Sequence, residues 1–575
     1  MHSSVMISKI SRIFLFSVLS SILSVPAFSQ DPLPKWMTEE ESKIYQNYLD
    51  EIPATKQANP PSVPPRTPAE FEEAQGVVIA WASYQSVLRE IVRHSRTVAT
   101  VYIITSNVSS VQNYLNNGGV SLQNVVFVQA PFNSVWIRDY GPQSVYLADT
   151  GELAFVDWVY NRPRPDDNQV PQVMANQLSV PFFQMTNSPN RLVATGGNFM
   201  SDGFGTGFSS KLILAENGSL SEAQIDNIML KYKGINRYIK MEELPFDNIS
   251  HIDMHMKLLN EETLLVGEFP TGVSDGPQIE ANLQYVLENY PSVYNRPYKV
   301  VRIPMVPSAI GNYPPNAHYR TYTNALILNG IVLVPTYGHQ LDNVGLQIFR
   351  DAMPGYEIIA MDGEATIAAS GSIHCITREI AADDNILFAH ASPETIDFNQ
   401  DLEITASITS HSGITEANLF WRTSELEEFI PSQMTLDGDT FRITLSGLHT
   451  AEELQYYFSA TNGNDKTVTK PLVAPDGYYR YSNMTVSVND VAEEMDFTVF
   501  PNPTTGNVRF SMTPSPFPSN LVITNTAGQV VLRQTIDPSE YYPELYLDLR
   551  GQSPGLYIVS VTSGKSTKVK KLIKH

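Results

Sequence analysis

The stretch "TLLVGEFPTGVSDGPQIEANLQYVLENY" (residues 263–290) joins a strand pattern to a helical pattern, and it decides the fold class. "TLLVGEF" is a continuous apolar run of strand length, whereas "SDGPQIEANLQYVLENY" is long enough for a helix and repeats its apolar residues along one face. A strand that leads into a helix is the repeating unit of an α/β fold.

The same alternation extends on both sides, from "GVVIAW" (76–81) to about Phe388. Further strand patterns are "TVYIITS" (100–106), "NVVFVQ" (124–129), "LILAE" (212–216) and "IVLVP" (331–335), and a second helix is predicted over "SLSEAQIDNIMLKY" (219–232), capped at Ser219 or Ser221. The region is large for one core, so we expect internal structural repetition although the letters show no clear repeat.

After Asn385 the pattern changes to short alternating strands separated by Asx and Gly turns, as in "DLEITASITS" and "LQYYFSATNGND". This pattern predicts an Ig-like β-sandwich, and a second β-rich module begins near Asp496. We therefore divide the chain into a signal peptide (1–29), an N-terminal segment with the Pro-rich linker "NPPSVPPRTP" (30–67), the α/β domain (68–388), the Ig-like sandwich (389–490) and the last β module (494–575).

Composition excludes two classes of protein. Of 575 residues, 42% are apolar and only 17% are charged, which argues against a disordered chain. The formal net charge is -22, so nucleic acid is not an expected partner, since phosphate binding needs a basic face.

The N-terminus has the pattern of an export signal. Lys9 and Arg12 precede the apolar run "IFLFSVLSSILSV", and small residues in "AFS" (27–29) predict cleavage before Gln30. No later apolar run has the length of about 20 residues that a membrane span needs, so we expect no spanning segment in the mature chain.

Cys375 is the only cysteine of the chain, so it cannot form a disulfide within it. It is either a buried small apolar residue or a reactive thiol. Two other segments concentrate polar residues next to predicted strands: "SVWIRDYGP" (134–142) and "SHIDMHMK" (250–257). Loops at strand ends are where α/β folds place their chemistry.

These residues allow two mechanisms. If residues 251–255 form a strand, His251, Asp253 and His255 share one face and could bind Zn²⁺ or Fe²⁺ as a metal-dependent hydrolase. Alternatively, Cys375 is a nucleophile, His251 an acid and base, and Asp253 and Asp139 are the carboxylates. The residue types alone leave both mechanisms open.

Several ordered motifs resemble the agmatine deiminase superfamily, and most closely its bacterial peptidylarginine deiminase branch. They are "PAEFEEAQGVVIAW", "VWIRDYGP", "TGGNFMSDG", "SHIDMHMK", "RTYTNALI", "FRDAMPGYE" and "GSIHCITRE", between about Pro68 and Ile380. The resemblance implies the pentein fold, a pseudo-fivefold propeller of small α/β units around a central site. It favours the cysteine mechanism, which needs no metal or other cofactor.

The resemblance also implies roles by position. Cys375 matches the nucleophile, His251 the general acid and base, and Asp253 and Asp139 the carboxylates that bind the guanidinium. Asn324 matches an active-site asparagine. A planar guanidinium is bound well by two carboxylates, because its donors form a rigid fork.

Four further residues are assigned to substrate binding. Arg162 and Arg164 in "VYNRPRPDDN" match an arginine pair that holds the carboxylate of a C-terminal arginine; alternatively they lie on a surface loop and pair with the adjacent aspartates at 166 and 167. Trp136 is expected to pack on the alkyl stem of the substrate or in the core. Ile249, two residues before His251, is assigned to the same cleft.

The last module resembles the C-terminal sorting domain of type IX secretion cargo. The matching letters are Pro501, Asn502, Pro503, Gly506, Gly528, Gly555, Tyr557 and the basic residues Lys568, Lys570 and Lys571. The resemblance implies type IX secretion machinery as a partner, and a protein that is secreted or attached to the outer-membrane surface.

The sequence thus predicts an exported hydrolase that converts arginine to citrulline at C-terminal arginines of peptides or proteins. The alternatives are an agmatine or free-arginine deiminase, the metal-dependent hydrolase, and a surface adhesin with an inactive α/β domain.

Overall fold

The computed structural model describes residues 33–52, 59–483, 497–512, 519–526, 528–536, 545–563 and 566–575. The chain divides into two compact units, residues 1–483 and 484–575. Within the described ranges, none of the helices has both the length and the apolar character that crossing a membrane requires. The predicted signal peptide (1–29) lies outside the described residues.

The strands and helices of the α/β part follow one another in a regular order. Its strands are β1 (Pro65–Arg66), β2 (Ala74–Ala80), β3 (Thr100–Thr105), β4 (Val125–Gln129), β5 (Gln143–Leu147), β6 (Leu153–Tyr160), β7 (Phe182–Met185), β8 (Val193–Ala194), β9 (Met200–Ser201), β10 (Thr206–Ser210), β11 (Arg237–Met241), β12 (Met256–Asn260), β13 (Thr263–Glu268), β14 (Lys299–Pro304), β15 (Leu326–Leu328), β16 (Ile331–Thr336), β17 (Glu357–Asp362) and β18 (Arg378–Ala381). Its helices are α1 (Glu39–Glu51), α2 (Gln85–Ser95), α3 (Val108–Asn117), α4 (Ile137–Tyr140), α5 (Val170–Leu178), α6 (Leu212–Ala215), α7 (Glu222–Lys233), α8 (Gly276–Asn289), α9 (Asp342–Ala352) and α10 (Glu364–Ile367).

These strands form five small sheets, which confirms the α/β class. Their orders are β1-β5-β6-β7 with β8 beside β6, β11-β10-β9, β12-β13-β14, β15-β16-β17 and β18-β2-β3-β4. In each sheet an antiparallel pair adjoins a parallel pair, and a helix connects the parallel strands. The expected internal repetition is therefore one of topology, since the same unit recurs in five sheets without a shared sequence.

One of the predicted strands is wrong. "LILAE" forms the short helix α6, in which the Leu214 and Ala215 amides donate to the Lys211 carbonyl at 2.9 and 3.2 Å. A five-residue apolar run does not distinguish a buried strand from one turn of a buried helix. The cap of α7 is Ser221, whose hydroxyl and Gln224 form a reciprocal capping box.

Polar residues of the α/β part gather on short helical turns between the sheets. These turns are α4 and the 3₁₀ turns Gly196–Asn198, Ile252–Met254 and His374–Ile376. The turn at 374–376 and the one at 196–198 both pack against α4, and the one at 252–254 packs against 196–198. Segments that are far apart in sequence therefore meet at one place.

The N-terminal segment is structured, which differs from a free linker. Helix α1 opens with a capping box in which the Thr38 hydroxyl accepts from the Glu41 amide and the Glu41 carboxylate accepts from the Thr38 amide. Pro65 and Arg66 pair antiparallel with β5 and so belong to the first sheet.

The region after the α/β part is all β. Its strands are β19 (Ile386–Ala389), β20 (Leu402–Ser410), β21 (Ile414–Arg422), β22 (Ile430–Gln433), β23 (Thr435–Asp437), β24 (Thr440–Leu445), β25 (Glu453–Asn462), β26 (Thr467–Lys470) and β27 (Tyr479–Ser482). They form two antiparallel sheets, β19-β20-β24-β23 and β22-β21-β25-β26 with β27 beside β25. Both sheets contribute to one core, for example with Ile404, Leu419 and Phe458.

The second unit is also all β. Its strands are β28 (Phe497–Phe500), β29 (Asn507–Met512), β30 (Ser519–Asn525), β31 (Val530–Ile536), β32 (Leu545–Asp548), β33 (Gly555–Ser563) and β34 (Ser566–Lys574). They form the antiparallel sheets β28-β29-β32 and β31-β30-β33-β34 around a core that includes Phe510, Leu521 and Val559.

Candidate active site

Cys375 lies fully buried on the 3₁₀ turn His374–Ile376, where polar side chains surround its sulfur. Asn324 Nδ2 donates to Cys375 Sγ at 3.2 Å, and Asn324 Oδ1 accepts from the Ser372 and Cys375 amides at 3.2 and 3.4 Å. Burial, with the nearby Asp253 carboxylate, raises the pKa of the Cys375 thiol to about 12. In this arrangement the sulfur is a protonated thiol at neutral pH.

Asp253 is 3.8 Å from Cys375 Sγ, measured from its Oδ2, and a histidine relay holds it there. His374 Nδ1 lies 2.8 Å from Asp253 Oδ2, and His374 Nε2 lies 2.7 Å from Glu70 Oε2. Burial opposes ionisation of Asp253, but Lys35 and the hydrogen bond from His374 outweigh it and lower the pKa of this carboxyl. Asp253 is therefore a fixed anion beside the thiol.

His251 and Asp139 form the opposite side of the site. His251 is fully buried and its Nδ1 lies 3.7 Å from Asp139 Oδ1. Neither ring nitrogen has a hydrogen-bond partner among the described residues. Burial and the Lys35 cation lower the pKa of His251 to about 3, so the imidazole is neutral and can accept a proton.

Gly197 keeps this side of the site open. A Cβ at this position would lie 2.4 Å from His251 Nδ1, 3.0 Å from Asp139 Oδ1 and 3.1 Å from Lys35 Nζ. The Gly197 amide donates to Asp139 Oδ1 at 3.2 Å. Only a residue without a side chain fits between the imidazole and the carboxylate without a shift of the neighbours.

The ammonium group of Lys35 lies among these residues. Its Nζ is 2.8 Å from Cys375 Sγ and 3.7 Å from Asp139 Oδ1, and the side chain is fully buried. Burial favours the neutral amine, but the Asp139 and Asp253 carboxylates outweigh it and raise the pKa of Lys35. The Cys375 thiol and the carboxylates of Asp139 and Asp253 thus form a buried site that binds a cation.

Arg162 and Arg164 are both buried, and they bind the N-terminal segment rather than the adjacent aspartates. Arg162 Nε donates to the Lys35 carbonyl at 3.1 Å, and Arg164 Nε donates to Glu41 Oε1 at 2.7 Å. The two aspartates bind elsewhere: the carboxylate at 166 accepts from Asn133 and that at 167 from Ser134. The alternative of a surface loop with local ion pairs is therefore wrong.

Trp136 lies beside the site, and Ile249 lies in an outer cleft. Trp136 is fully buried, and its Nε1 donates to the Leu33 carbonyl at 2.8 Å. The backbone of Gly371 fits between the indole and Cys375, since a Cβ there would lie 2.4 Å from Trp136 Cζ3 and 3.1 Å from Cys375 Cβ. Ile249 lines an outer cleft together with Arg162 and Trp36.

The structural premise of the metal alternative is wrong. Residues 252–254 form a 3₁₀ turn and β12 begins only at Met256, so His251, Asp253 and His255 do not alternate along a strand. No group of three or more metal-ligating side chains comes together in the part of the chain that the structure describes. Burial lowers the pKa of His255 to about 4, as for a buried neutral imidazole.

The structure thus brings five of the nine sequence-predicted site residues together around the Cys375 sulfur and the Lys35 ammonium: Asp139, His251, Asp253, Asn324 and Cys375. Trp136, Arg162 and Arg164 bind residues 33–36, Ile249 lines the outer cleft, and four residues not assigned from the sequence join the site. Three of these four residues lie inside family motifs: Glu70 in "PAEFEEAQ", Gly197 in "TGGNFMSDG" and His374 in "GSIHCITRE". Membership in a motif was the sequence signal by which they could have been assigned to the site. Lys35 belongs to none of the motifs, and the sequence carries no signal for its position.

Comparisons with known proteins show similarity to deiminases over the α/β part of the chain. A family model for "Porphyromonas-type peptidyl-arginine deiminase" matches residues 66–380, and one for "Secretion system C-terminal sorting domain" matches residues 498–575. A "Putative agmatine deiminase" of Vibrio parahaemolyticus is 25% identical over 354 residues, which cover 55% of this chain and 96% of the relative. The "Agmatine deiminase" of Pseudomonas syringae pv. tomato is 24% identical, over 50% of this chain and 84% of the relative.

A little over half of this chain shares its fold with a solved structure that is also described as an agmatine deiminase. The X-ray structure of a "putative agmatine deiminase" matches with a TM-score of 0.51 and 20% identity, over 57% of this chain and 99% of that chain.

Proposed function

Because this chain belongs to the Porphyromonas-type peptidyl-arginine deiminase family, we propose that it hydrolyses the guanidinium of arginine at the C-terminus of peptides and proteins. The family makes it a hydrolase of amidine C–N bonds, and the products are citrulline and ammonia. One observation carries the proposal: a buried cation lies 2.8 Å from the Cys375 sulfur and 3.7 Å from the Asp139 carboxylate, where a guanidinium would lie.

The reaction begins with the thiol. As the cationic substrate enters between Asp139 and Asp253, His251 accepts the Cys375 proton, and the thiolate is stabilised by the adjacent guanidinium. Sulfur attacks the guanidinium carbon and a C–S bond forms. The imidazolium returns its proton to one amino group, which leaves as ammonia and gives a thiouronium on Cys375.

Water completes the cycle. His251 takes a proton from a water molecule, and the oxygen attacks the thiouronium carbon. The C–S bond breaks, the hydroxyl proton returns to sulfur, and the imidazolium proton leaves with ammonia as ammonium. Guanidinium and water thus yield the urea group of citrulline and ammonium. Asn324 orients the Cys375 loop through its bonds to the backbone amides.

The arginine pair supports a substrate with a carboxylate. Arg162 binds the carbonyl oxygen of the residue whose side chain enters the site, at 3.1 Å, and a C-terminal carboxylate at that place would meet the same guanidinium. Arg164 already binds a carboxylate, that of Glu41. Trp136 and Ile249 would enclose the alkyl stem.

The second candidate is deimination of agmatine or free arginine. It is favoured by the relatives, which carry the name agmatine deiminase. Agmatine has no carboxylate, so it would leave Arg162 and Arg164 without an anionic ligand.

We also propose the finer architecture. The five α/β sheets are the blades of a pentein propeller (68–388), the β region (389–490) and the last module (494–575) are Ig-like, and residues 30–67 precede the catalytic domain. The sorting domain indicates secretion or attachment to the cell surface. Export through the signal peptide (1–29) and the type IX machinery is our proposal.

The test measures citrulline released from three substrates: a peptide ending in arginine, the same peptide with arginine internal, and agmatine. Each is run with and without a chelator, on the wild type, on Lys35→Ala, which frees the cation site, and on Cys375→Ala. We expect release from the first peptide alone, unaffected by chelation and absent in Cys375→Ala. Release from agmatine alone would contradict the carboxylate role of Arg162 and Arg164, and loss of activity on chelation would favour the metal alternative.

A further inference from the structure

We propose that residues 33–41 are an intramolecular pseudosubstrate: the segment lies in the substrate cleft as a bound polypeptide, with Lys35 in the place of the substrate arginine. This inference rests on the proposed function, and it extends it to a cleft that binds the main chain of a basic residue and of the two residues before it. It also implies that the full chain is inhibited by its own N-terminal segment.

The Lys35 side chain contacts the groups that would bind substrate. Its Nζ lies 2.8 Å from Cys375 Sγ and 3.7 Å from Asp139 Oδ1, in a site from which solvent is excluded. A buried ammonium is stable only where anions compensate its lost hydration, and Asp139 and Asp253 supply them here. Substrate and Lys35 therefore cannot occupy the site together.

The main chain around Lys35 is held at four points over three residues. The Lys35 amide donates to the Ala369 carbonyl at 3.0 Å, and the Lys35 carbonyl accepts from Arg162 at 3.1 Å. The Pro34 carbonyl accepts from Arg164 and the Leu33 carbonyl from Trp136, each at 2.8 Å. Main-chain hydrogen bonds of this density are typical of a bound extended peptide.

Helix α1 fastens the segment to the domain. Glu41, in the first turn, accepts from Arg164 Nε and Nη2 at 2.7 and 3.2 Å, so its carboxylate takes the anion position of that arginine. Arg191 donates to the Leu49 carbonyl near the end of the helix. The segment thus fills three parts of the cleft at once. Lys35 takes the cation site, the backbone of residues 33–35 makes the main-chain hydrogen bonds, and Glu41 takes the carboxylate contact.

Lysine suits an inhibitor because it is not a substrate. The guanidinium carbon of arginine and Nζ of lysine are separated from Cα by the same number of bonds. The two atoms can therefore reach the same place in the site. Lysine puts a nitrogen there, which sulfur cannot attack. Arginine would put the electrophilic carbon within the attack distance of about 3–3.5 Å after a small shift.

A release experiment measures citrulline formation from the peptide ending in arginine by the full chain carrying Lys35→Ala or Glu41→Ala. Since a closed fraction reduces apparent affinity in proportion, we expect kcat/KM to rise about 10- to 100-fold. Lys43→Ala is the matched control, because Lys43 is exposed on the same helix and pairs only with Glu39 in the described structure. A fall in kcat/KM in both variants would mean that Lys35 assists catalysis, and it would overturn the proposal.

A register experiment uses Lys35→Arg. Position 35 is internal, but Glu41 supplies to Arg164 the carboxylate that an internal arginine in a free peptide lacks. We therefore expect the full chain to convert its own Arg at position 35 to citrulline, seen by peptide mass mapping as the exchange of an imino group for oxygen. The double variant with Cys375→Ala must stay unmodified. An unmodified position 35 in the single variant, while it still turns over added peptide, would overturn the pseudosubstrate geometry.

A third measurement separates failure of this inference from failure of the proposed function. Cys375 is the only cysteine of the chain, so its alkylation by iodoacetamide reports access to the site without any turnover. We expect Glu41→Ala to be alkylated about 10- to 100-fold faster than Lys43→Ala. Equal rates would overturn the inhibition, whatever the substrate; faster alkylation without any citrulline would support the inhibition and contradict the deiminase.

Discussion

Replacement of Gly197 by alanine should place a methyl group against the imidazole of His251, the proposed acid and base. The added Cβ would lie 2.4 Å from His251 Nδ1, whereas carbon and nitrogen atoms in contact need about 3.5 Å, so the ring must move by about 1 Å. Misplacement of a reacting group by that distance can reduce turnover by about 100-fold. Overpacking of this buried place should also lower the free energy of unfolding by about 1–3 kcal/mol.

The assay is kcat at saturating peptide, with the melting temperature measured beside it. Saturation matters because the same Cβ would lie 3.1 Å from Lys35 Nζ and would weaken the inhibitory segment, an effect that appears in KM. Gly218→Ala is the control, since the nearest atom to its Cβ is 4.0 Å away. A folded Gly197→Ala protein with the kcat of the wild type would refute the placement of His251 at the reacting group.

Three further predictions follow from the same contacts. In the Lys35→Ala background, Arg162→Ala and Arg164→Ala should each weaken binding of the peptide ending in arginine by about 1–3 kcal/mol per lost charged hydrogen bond. Binding of agmatine should be unaffected. Equal losses for both substrates would contradict a carboxylate contact. His374→Ala should lower the free energy of unfolding by about 3–5 kcal/mol, because it leaves the buried carboxylates of Asp253 and Glu70 without the imidazole that joins them. A loss below about 1 kcal/mol in denaturant titrations would count against the relay. The pKa of the buried His255 is about 4, whereas a histidine in the unfolded chain has a pKa of about 6.5, so the unfolded state gains a proton first as the pH falls. Between pH 7 and pH 5 the free energy of unfolding of the wild type should therefore fall by about 2 kcal/mol more than that of His255→Asn. Parallel pH profiles of the two proteins would contradict this.

The fold could be predicted from the sequence where a short apolar run has clear ends. "TLLVGEF" and "IVLVP" became β13 and β16 because buried strands of parallel pairs read as continuous apolar runs. "LILAE" has the same appearance and is a helix, since the neighbouring pairing decides between the two.

The candidate catalytic residues could be named by resemblance, but their local structure could not be predicted. His251 and Cys375 lie beside and on 3₁₀ turns rather than in strands, which is why the alternation of side chains along a strand misled the metal hypothesis. Glu70 acts on Cys375 only through His374 and Asp253, and such a chain of contacts exists only in the folded protein.

Lys35 marks the limit of what the sequence could predict. It lies 340 residues from Cys375, and a solvated lysine and a buried one have the same letter. Its position depends on Arg162, Arg164 and Trp136 together, which bind the main chain around it and leave no pattern in that segment.

Attack of Cys375 on the arginine guanidinium leaves a covalent intermediate that can be trapped. Wild type and Lys35→Ala are mixed with the peptide ending in arginine, quenched in acid within one turnover and analysed by mass spectrometry. We expect to find the substrate peptide, less ammonia, bound to Cys375. Conversion of the peptide to citrulline with an unmodified thiol, at a rate that persists in Cys375→Ala, would contradict it.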